Sequence, residues 1–143
     1  MTFSVRAAAW DADRARLQDV RHAVFVAEQG VPVDLEWDGL DADCTHLLAE
    51  DACGRPIGCA RLLPDGHVGR MAVLRPWRGR GVGRALLRAA LARAAMDGFT
   101  VVRLNAQVHA LDFYRREGFE AVGEVFSDAG IPHRAMRRAI DRR

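Results

Sequence analysis

Residues 71–87, Met71-Ala72-Val73-Leu74-Arg75-Pro76-Trp77-Arg78-Gly79-Arg80-Gly81-Val82-Gly83-Arg84-Ala85-Leu86-Leu87, decide the fold. The apolar run at their start reads as the end of a strand, and Pro76 breaks pairing. Glycines at positions 79, 81 and 83 then lead into an Ala/Leu-rich helix. Alternate glycines let the backbone turn tightly and approach a ligand closely. The first N–H groups of a helix have no intrahelical partner and carry partial positive charge. With Arg78, Arg80 and Arg84 adding charge, Gly79 to Arg84 (Val82 included) forms a candidate diphosphate site. A glycine turn with solvated arginines is the plainer alternative. The spacing excludes other phosphate loops: GxxxxGK[ST] is absent, and the glycines give GxGxG instead of GxGxxG.

Working outward, Thr45–Glu50, Pro56–Leu63 and His67–Leu74 read as three strands joined by Asp51-Ala52-Cys53-Gly54 and Pro64-Asp65-Gly66, the pattern of an antiparallel meander. Upstream, Phe3–Ala8 is a short strand. Leu17, Val20, Val24 and Ala27 recur at helical spacing, which predicts an amphipathic helix over residues 13–28, stopped at Gly30. Residues 31–43 form an acidic loop holding Asp34, Glu36, Asp38, Asp41 and Asp43. Such a loop is either a lure for a cationic amine or a solvated face. Downstream, the helix after the glycines ends at Gly98. A strand at Thr100–Leu104, a short helix at Val108–Glu117, and strands at Phe119–Phe126 and Pro132–Arg138 complete an α+β chain of one domain, residues 1–143.

Composition narrows the partners. The formal net charge is +2, too small to imply a polyanion, which argues against a nucleic-acid binder. All 21 basic residues are Arg and none is Lys, so local Arg clusters matter more than the total. Cys44, Cys53 and Cys59 lack CxxC spacing and read as reduced, small hydrophobes, with no metal site. No stretch reaches the roughly 18 apolar residues of a membrane span, and no signal-peptide pattern opens the chain. A cytoplasmic protein with no membrane partner is expected.

Met71-Ala72-Val73 followed by Arg78-x-x-Gly81-x-Gly83 resembles motif A of the GNAT N-acetyltransferase superfamily, and Phe113-Tyr114-Arg115-Arg116-Glu117-Gly118-Phe119 resembles its FYxxxGF block. Spacing and element order agree over nearly the whole chain. Arg21–Gln29 (RHAVFVAEQ) and Gly130-Ile131-Pro132-His133 are similar to a small bacterial branch of the superfamily with unassigned substrates. The resemblance implies a mixed, mostly antiparallel sheet of about seven strands, splayed in the middle, with helices on both faces. It implies acetyl-CoA as cosubstrate, an N-acetyltransferase activity on a small-molecule or peptide amine, and direct attack in a ternary complex.

The same resemblance implies residue roles. Met71 and Val73 pair with the pantetheine amides, and a backbone N–H near Ala72 polarises the thioester carbonyl. Tyr114, the only tyrosine, matches the general acid; a structurally hydrogen-bonded ring is the alternative. Many relatives carry a glutamate on the strand before the second helix, but that strand here reads Val101-Val102-Arg103-Leu104-Asn105. The general base is therefore open between Glu28, His133, a base acting through ordered water, and none; Glu28 could instead cap or pair with Arg21. Asn105 and Gln107 are candidate cofactor contacts. A non-catalytic acyl-CoA-binding domain is the competing function, and pairing of exposed edge strands into a homodimer is a further expectation.

Overall fold

The computed structural model describes residues 2–140. Strand β1 (Phe3–Ala8) runs antiparallel to β2 (Thr45–Asp51), which continues through β3 (Pro56–Leu62) into β4 (His67–Val73) as a meander. The turns between them close as their chemistry predicts. Asp51 Oδ1 accepts from the N–H groups of Cys53 and Arg55, and Asp65 Oδ1 accepts from that of His67.

Beyond β4 the sheet changes character. Strand β5 (Val101–Gln107) lies parallel to β4, but the ladder is confined to His67↔Arg103 and Val68↔Leu104. Strand β7 (Ile131–Ala139) pairs antiparallel with β5 from Val101↔Ala139 to Gln107↔His133, and β6 (Glu120–Asp128) lies outside β7. The seven strands follow the order β1-β2-β3-β4-β5-β7-β6. Only the middle pair is parallel, joined by helix α3 (Val82–Met96). The expected mixed, centrally splayed sheet is what the chain forms.

Strand alternation sends successive residues to opposite faces, and each face takes a helix. Leu47, Ala49, Ala60 and Leu62 pack beneath Leu86, Leu87, Ala90, Leu91 and Ala94 of α3. That helical stripe recurs every three to four residues, the spacing of one buried face. On the opposite face Leu48, Cys59 and Ala72 meet Leu17, Val20 and Val24. Gly58 allows α3 to lie close, because a Cβ there would stand 3.0 Å from Leu86 Cδ1. Of the cysteines, Cys59 is a buried core residue, Cys44 is half-buried and Cys53 is exposed in its turn. Among the described residues no helix is long and apolar enough to cross a membrane.

The first helix departs from the predicted 13–28. Helix α1 spans Trp10–Arg21, starting earlier because Ala9 is its N-cap residue and Asp13 accepts the Ala9 N–H at 3.1 Å. It runs into a π-helical turn, His22–Glu28, in which Gln29 N–H donates to Val24 O at 3.0 Å. A π turn holds more residues than an α turn and so rotates the side chains that follow it. The predicted loop 31–43 contains a short helix, α2 (Val33–Glu36), and a 3₁₀ turn, Asp41–Asp43. The predicted helix 108–117 is a 3₁₀ turn, Val108–Ala110, followed by α4 (Leu111–Arg116).

The acidic segment is no lure. Arg21, 1% exposed, donates from Nε to Glu36 at 2.6 Å and from Nη1 to Asp41 at 2.7 Å. Arg61 reaches Asp38 at 2.8 and 2.9 Å and Asp41 at 3.1 Å, and Arg70 reaches Asp38 at 3.1 Å. Three of the five carboxylates are thus spent on arginines, and of these Glu36 and Asp41 are buried. Arg21 is also not the partner of Glu28. Buried ions need such complete pairing, since desolvation is otherwise uncompensated.

Removing Arg21 (Arg21→Ala) leaves Glu36 and Asp41 unpaired and is expected to cost about 3–5 kcal/mol in urea unfolding. The network also predicts acid sensitivity. Burial pushes the Asp38 carboxyl up, but the Arg61 guanidinium and the Leu40 N–H outweigh it and hold it at about 2, below the ordinary 3.8. The stability it contributes is present above about 3.8 and is lost as pH falls towards 2, which melting curves between pH 5 and 2 will register.

Candidate functional site

Because β4 and β5 part after two paired residues, a cleft of about 1220 Å³ opens between them. Typical small-ligand pockets hold roughly 300–1,000 Å³, so this one has room for a large ligand and a second reactant. Glu28, Met71, Ala72, Val73, Arg78, Gly79, Gly81, Val82, Gly83, Arg84, Asn105, Gln107, Tyr114 and His133 all line it. Arg80 does not: its Nε donates to Pro76 O at 3.0 Å and its guanidinium lies 5.8 Å from the Trp77 ring.

One wall is the glycine loop. Gly79 and Gly81 adopt φ of +74° and +86°, and Gly81 is the N-cap residue of α3. No side chain caps that end, so the first helical N–H groups keep their donors. A Cβ added at Gly79 or Gly81 would meet nothing within 4 Å, which leaves an open cradle beside a positive helix end. Gly83 is different in kind, since a Cβ there would come into ordinary contact with the Phe113 ring at 3.5 Å. The cradle fits an anion of diphosphate size.

The arginines are less free than their sequence suggests. Arg78 Nη1 and Nη2 donate to the two oxygens of Glu28 at 2.6 and 2.7 Å, and Nε donates to Val73 O at 3.0 Å. Arg75 adds a contact to Glu28 at 3.4 Å, and Arg84 meets Glu117 at 2.9 Å. The Arg78 guanidinium holds the Glu28 carboxyl at about 2, well below the usual carboxylate range.

Strand β4 supplies main-chain groups to the cleft. Leu74 N–H donates to Ile57 O at 2.9 Å, which sets the parity of the strand. By alternation Ala72 turns its amide to β3, its register partner being Cys59, while Met71 and Val73 turn theirs to the cleft. A carbonyl-polarising donor near Ala72 is therefore a neighbour's N–H. The strand also bulges, since Cys59↔Ala72 is followed by Arg61↔Gly69. The extra residue is Arg70, with φ of +46°, held there by Asp38 and by the carbonyls of Leu35 and Glu36.

The far wall carries the titratable groups. The Tyr114 ring packs edge-on between Phe113 at 5.0 Å and Phe119 at 6.0 Å. Burial pushes its phenol up to about 12, and no protein group among the described residues accepts its proton. His133, 9% exposed, donates from Nδ1 to Ile131 O at 2.7 Å, which fixes Nε2 as the site of the free lone pair in the neutral ring. Gln107, opposite His133 in register, exchanges amide hydrogen bonds with Gln29 at 2.9 and 3.3 Å, and His109 Nε2 lies 2.6 Å from Gln107 Oε1. That clasp joins the end of the π turn to β5. Gln29, His109, Arg70 and Phe25 were not among the sequence candidates. Of these, Phe25 and Gln29 carried a signal, through the RHAVFVAEQ resemblance.

A splayed mixed sheet with an uncapped helix start beside the gap is the architecture of the GNAT acetyltransferase fold. The family model for the acetyltransferase (GNAT) domain matches residues 13–140. YjcF, an uncharacterized N-acetyltransferase of Bacillus subtilis, is 38% identical over 83% of this chain and 87% of its own. Among solved structures, an acyl-CoA N-acyltransferase from Pseudomonas aeruginosa superposes with a TM-score of 0.85 at 35% identity, covering 96% of this chain and 100% of that one. Escherichia coli ElaA superposes with a TM-score of 0.85 at 30% identity, covering 96% and 99%. The chain belongs to the GNAT acetyltransferase family.

Gly81→Ala places a methyl in open space yet forces an L-residue into the left-handed region. It is expected to cost about 1–2 kcal/mol in chemical unfolding.

Proposed function

We propose that the protein is an acetyl-CoA-dependent N-acetyltransferase that acts on a primary amine by direct attack within a ternary complex. The observation carrying this reading is that one cleft holds both an anion-cradling helix start and, across from it, a protonated phenol and a histidine with a free lone pair. The N–H groups from Gly79 to Arg84 hold the diphosphate, the cleft-facing main chain of Met71 and Val73 pairs with the pantetheine arm, and Asn105 and Gln107 supply side-chain amide contacts. Acetyl-CoA supplies the acyl group as a thioester, whose sulfur is the leaving atom.

The chain's own groups then divide the proton work. The Val73 N–H donates to the oxygen on which negative charge develops. His133 Nε2 takes the proton of the attacking amine, since its Nδ1–H is committed to Ile131 O and the Nε2 lone pair is left free. Tyr114 gives a proton to the departing sulfur; burial keeps that phenol protonated across the working pH range. Glu28 is the weaker base of the two candidates, because its oxygens are committed to Arg78 and Arg75. The acceptor is a small molecule or a peptide amine.

Thiol release from acetyl-CoA, measured across a panel of amines, tests the reading. Tyr114→Phe is expected to keep acetyl-CoA affinity within about twofold and to slow turnover on the order of tenfold or more, as general acids contribute roughly 10²–10⁴-fold. His133→Gln is expected to act likewise, keeping acetyl-CoA affinity while slowing turnover. Acetyl-CoA binding without thiol release for any amine would make the chain a non-catalytic acyl-CoA binder.

A further inference from the structure

Arg78 is claimed twice. It opens the loop whose amides are assigned above to the diphosphate, yet its side chain is turned from that loop towards Glu28 and Val73. The Glu28–Arg78 pair joins residues 50 apart in sequence, and both groups keep solvent access, with side chains 26% and 39% exposed. The pair is bidentate but open to solvent on both sides, so another fork-shaped anion can reach the guanidinium without unfolding anything. A diphosphate offers the same fork-shaped acceptor as a carboxylate and more charge, so the two anions compete for one guanidinium. They also repel each other across it.

The main chain around Glu28 is held while this exchange occurs. Its neighbour Gln29 is clasped to Gln107, and the π turn before it is anchored by buried Val24. The part free to move is the Arg78 side chain. We infer that Glu28 is a built-in competitor for the diphosphate of the acyl carrier, and that carrier binding transfers Arg78 from Glu28 to the phosphates. This rests on the acyl-CoA reading given above. The arrangement makes Glu28 a determinant of cofactor affinity: it holds the loop arginine in place and limits how tightly the carrier, or the free coenzyme A left after transfer, is retained.

Calorimetric titration of acetyl-CoA into the wild type, Glu28→Gln and Arg78→Gln tests the inference. Competition predicts opposite signs: Glu28→Gln binds roughly two- to fivefold tighter and Arg78→Gln binds weaker by a similar factor. If the pair only braces the loop, both variants lose affinity together, and that outcome overturns the inference. So does an unchanged affinity in Glu28→Gln. Thermal unfolding without ligand establishes that each variant folds, and Glu28→Ala replaces the glutamine variant if it does not. Failure of the wild type itself to bind acetyl-CoA sinks the acyl-CoA reading instead, a result separate from either variant outcome.

Discussion

Everything in this molecule follows from two adjacent strands that begin together and cannot stay together. The parallel pairing of β4 and β5 lasts for two residues, and past Val68 and Leu104 neither strand has the other to bond with. Backbone groups left so in a sheet interior are costly unless something else satisfies them. The cleft is thus a run of strand edge in the middle of a sheet, and Met71 and Val73 present their amides there as an edge strand would. Helix α3 begins at the same place, so unsatisfied strand groups and unsatisfied helix groups converge on one gap.

The gap is kept open by charge as well as by packing. The arginines of α1, β3 and β4 collect three carboxylates from the segment 36–41 and fix that segment against the sheet beside the opening. Arg70 takes part in this from a left-handed conformation that non-glycine residues seldom adopt, and it stands directly before Met71. Backbone in such regions persists only where its surroundings hold it. Here the same contacts that fix the acidic segment also fix the bulge that aims the strand edge.

Much of this was legible in the residues. Seven strands, the glycine loop, the helix behind it and the tyrosine block were placed within a few residues, because turn chemistry and apolar spacing are local. The departures lie where distant groups meet. The π turn at His22–Glu28 has no periodic signature that separates it from an α-helix over Ala23-Val24-Phe25-Val26-Ala27. The acidic run read equally well as a lure or a solvated face because its arginine partners lie up to 34 residues away. Arg80 and Arg78 looked alike beside the glycines, yet one stacks on Trp77 and the other reaches Glu28. Tyr114 and His133 lie in motifs, but which ring nitrogen of His133 is free depends on the local turn that brings the Ile131 carbonyl to Nδ1.

The arginine network has one more consequence, for chemical durability. On the function proposed above, a pocket that concentrates a thioester exposes its own walls to acylation, and a lysine there would present a nucleophilic ε-amine. This chain has none anywhere; every cationic side chain around the gap is a guanidinium, which keeps its charge at any ordinary pH. Cys59, the thiol nearest the sheet centre, is sealed in the core with its ionisation pushed up to about 12, so it too is inert. On that reading, the charges that shape the opening are ones that the carried group does not consume.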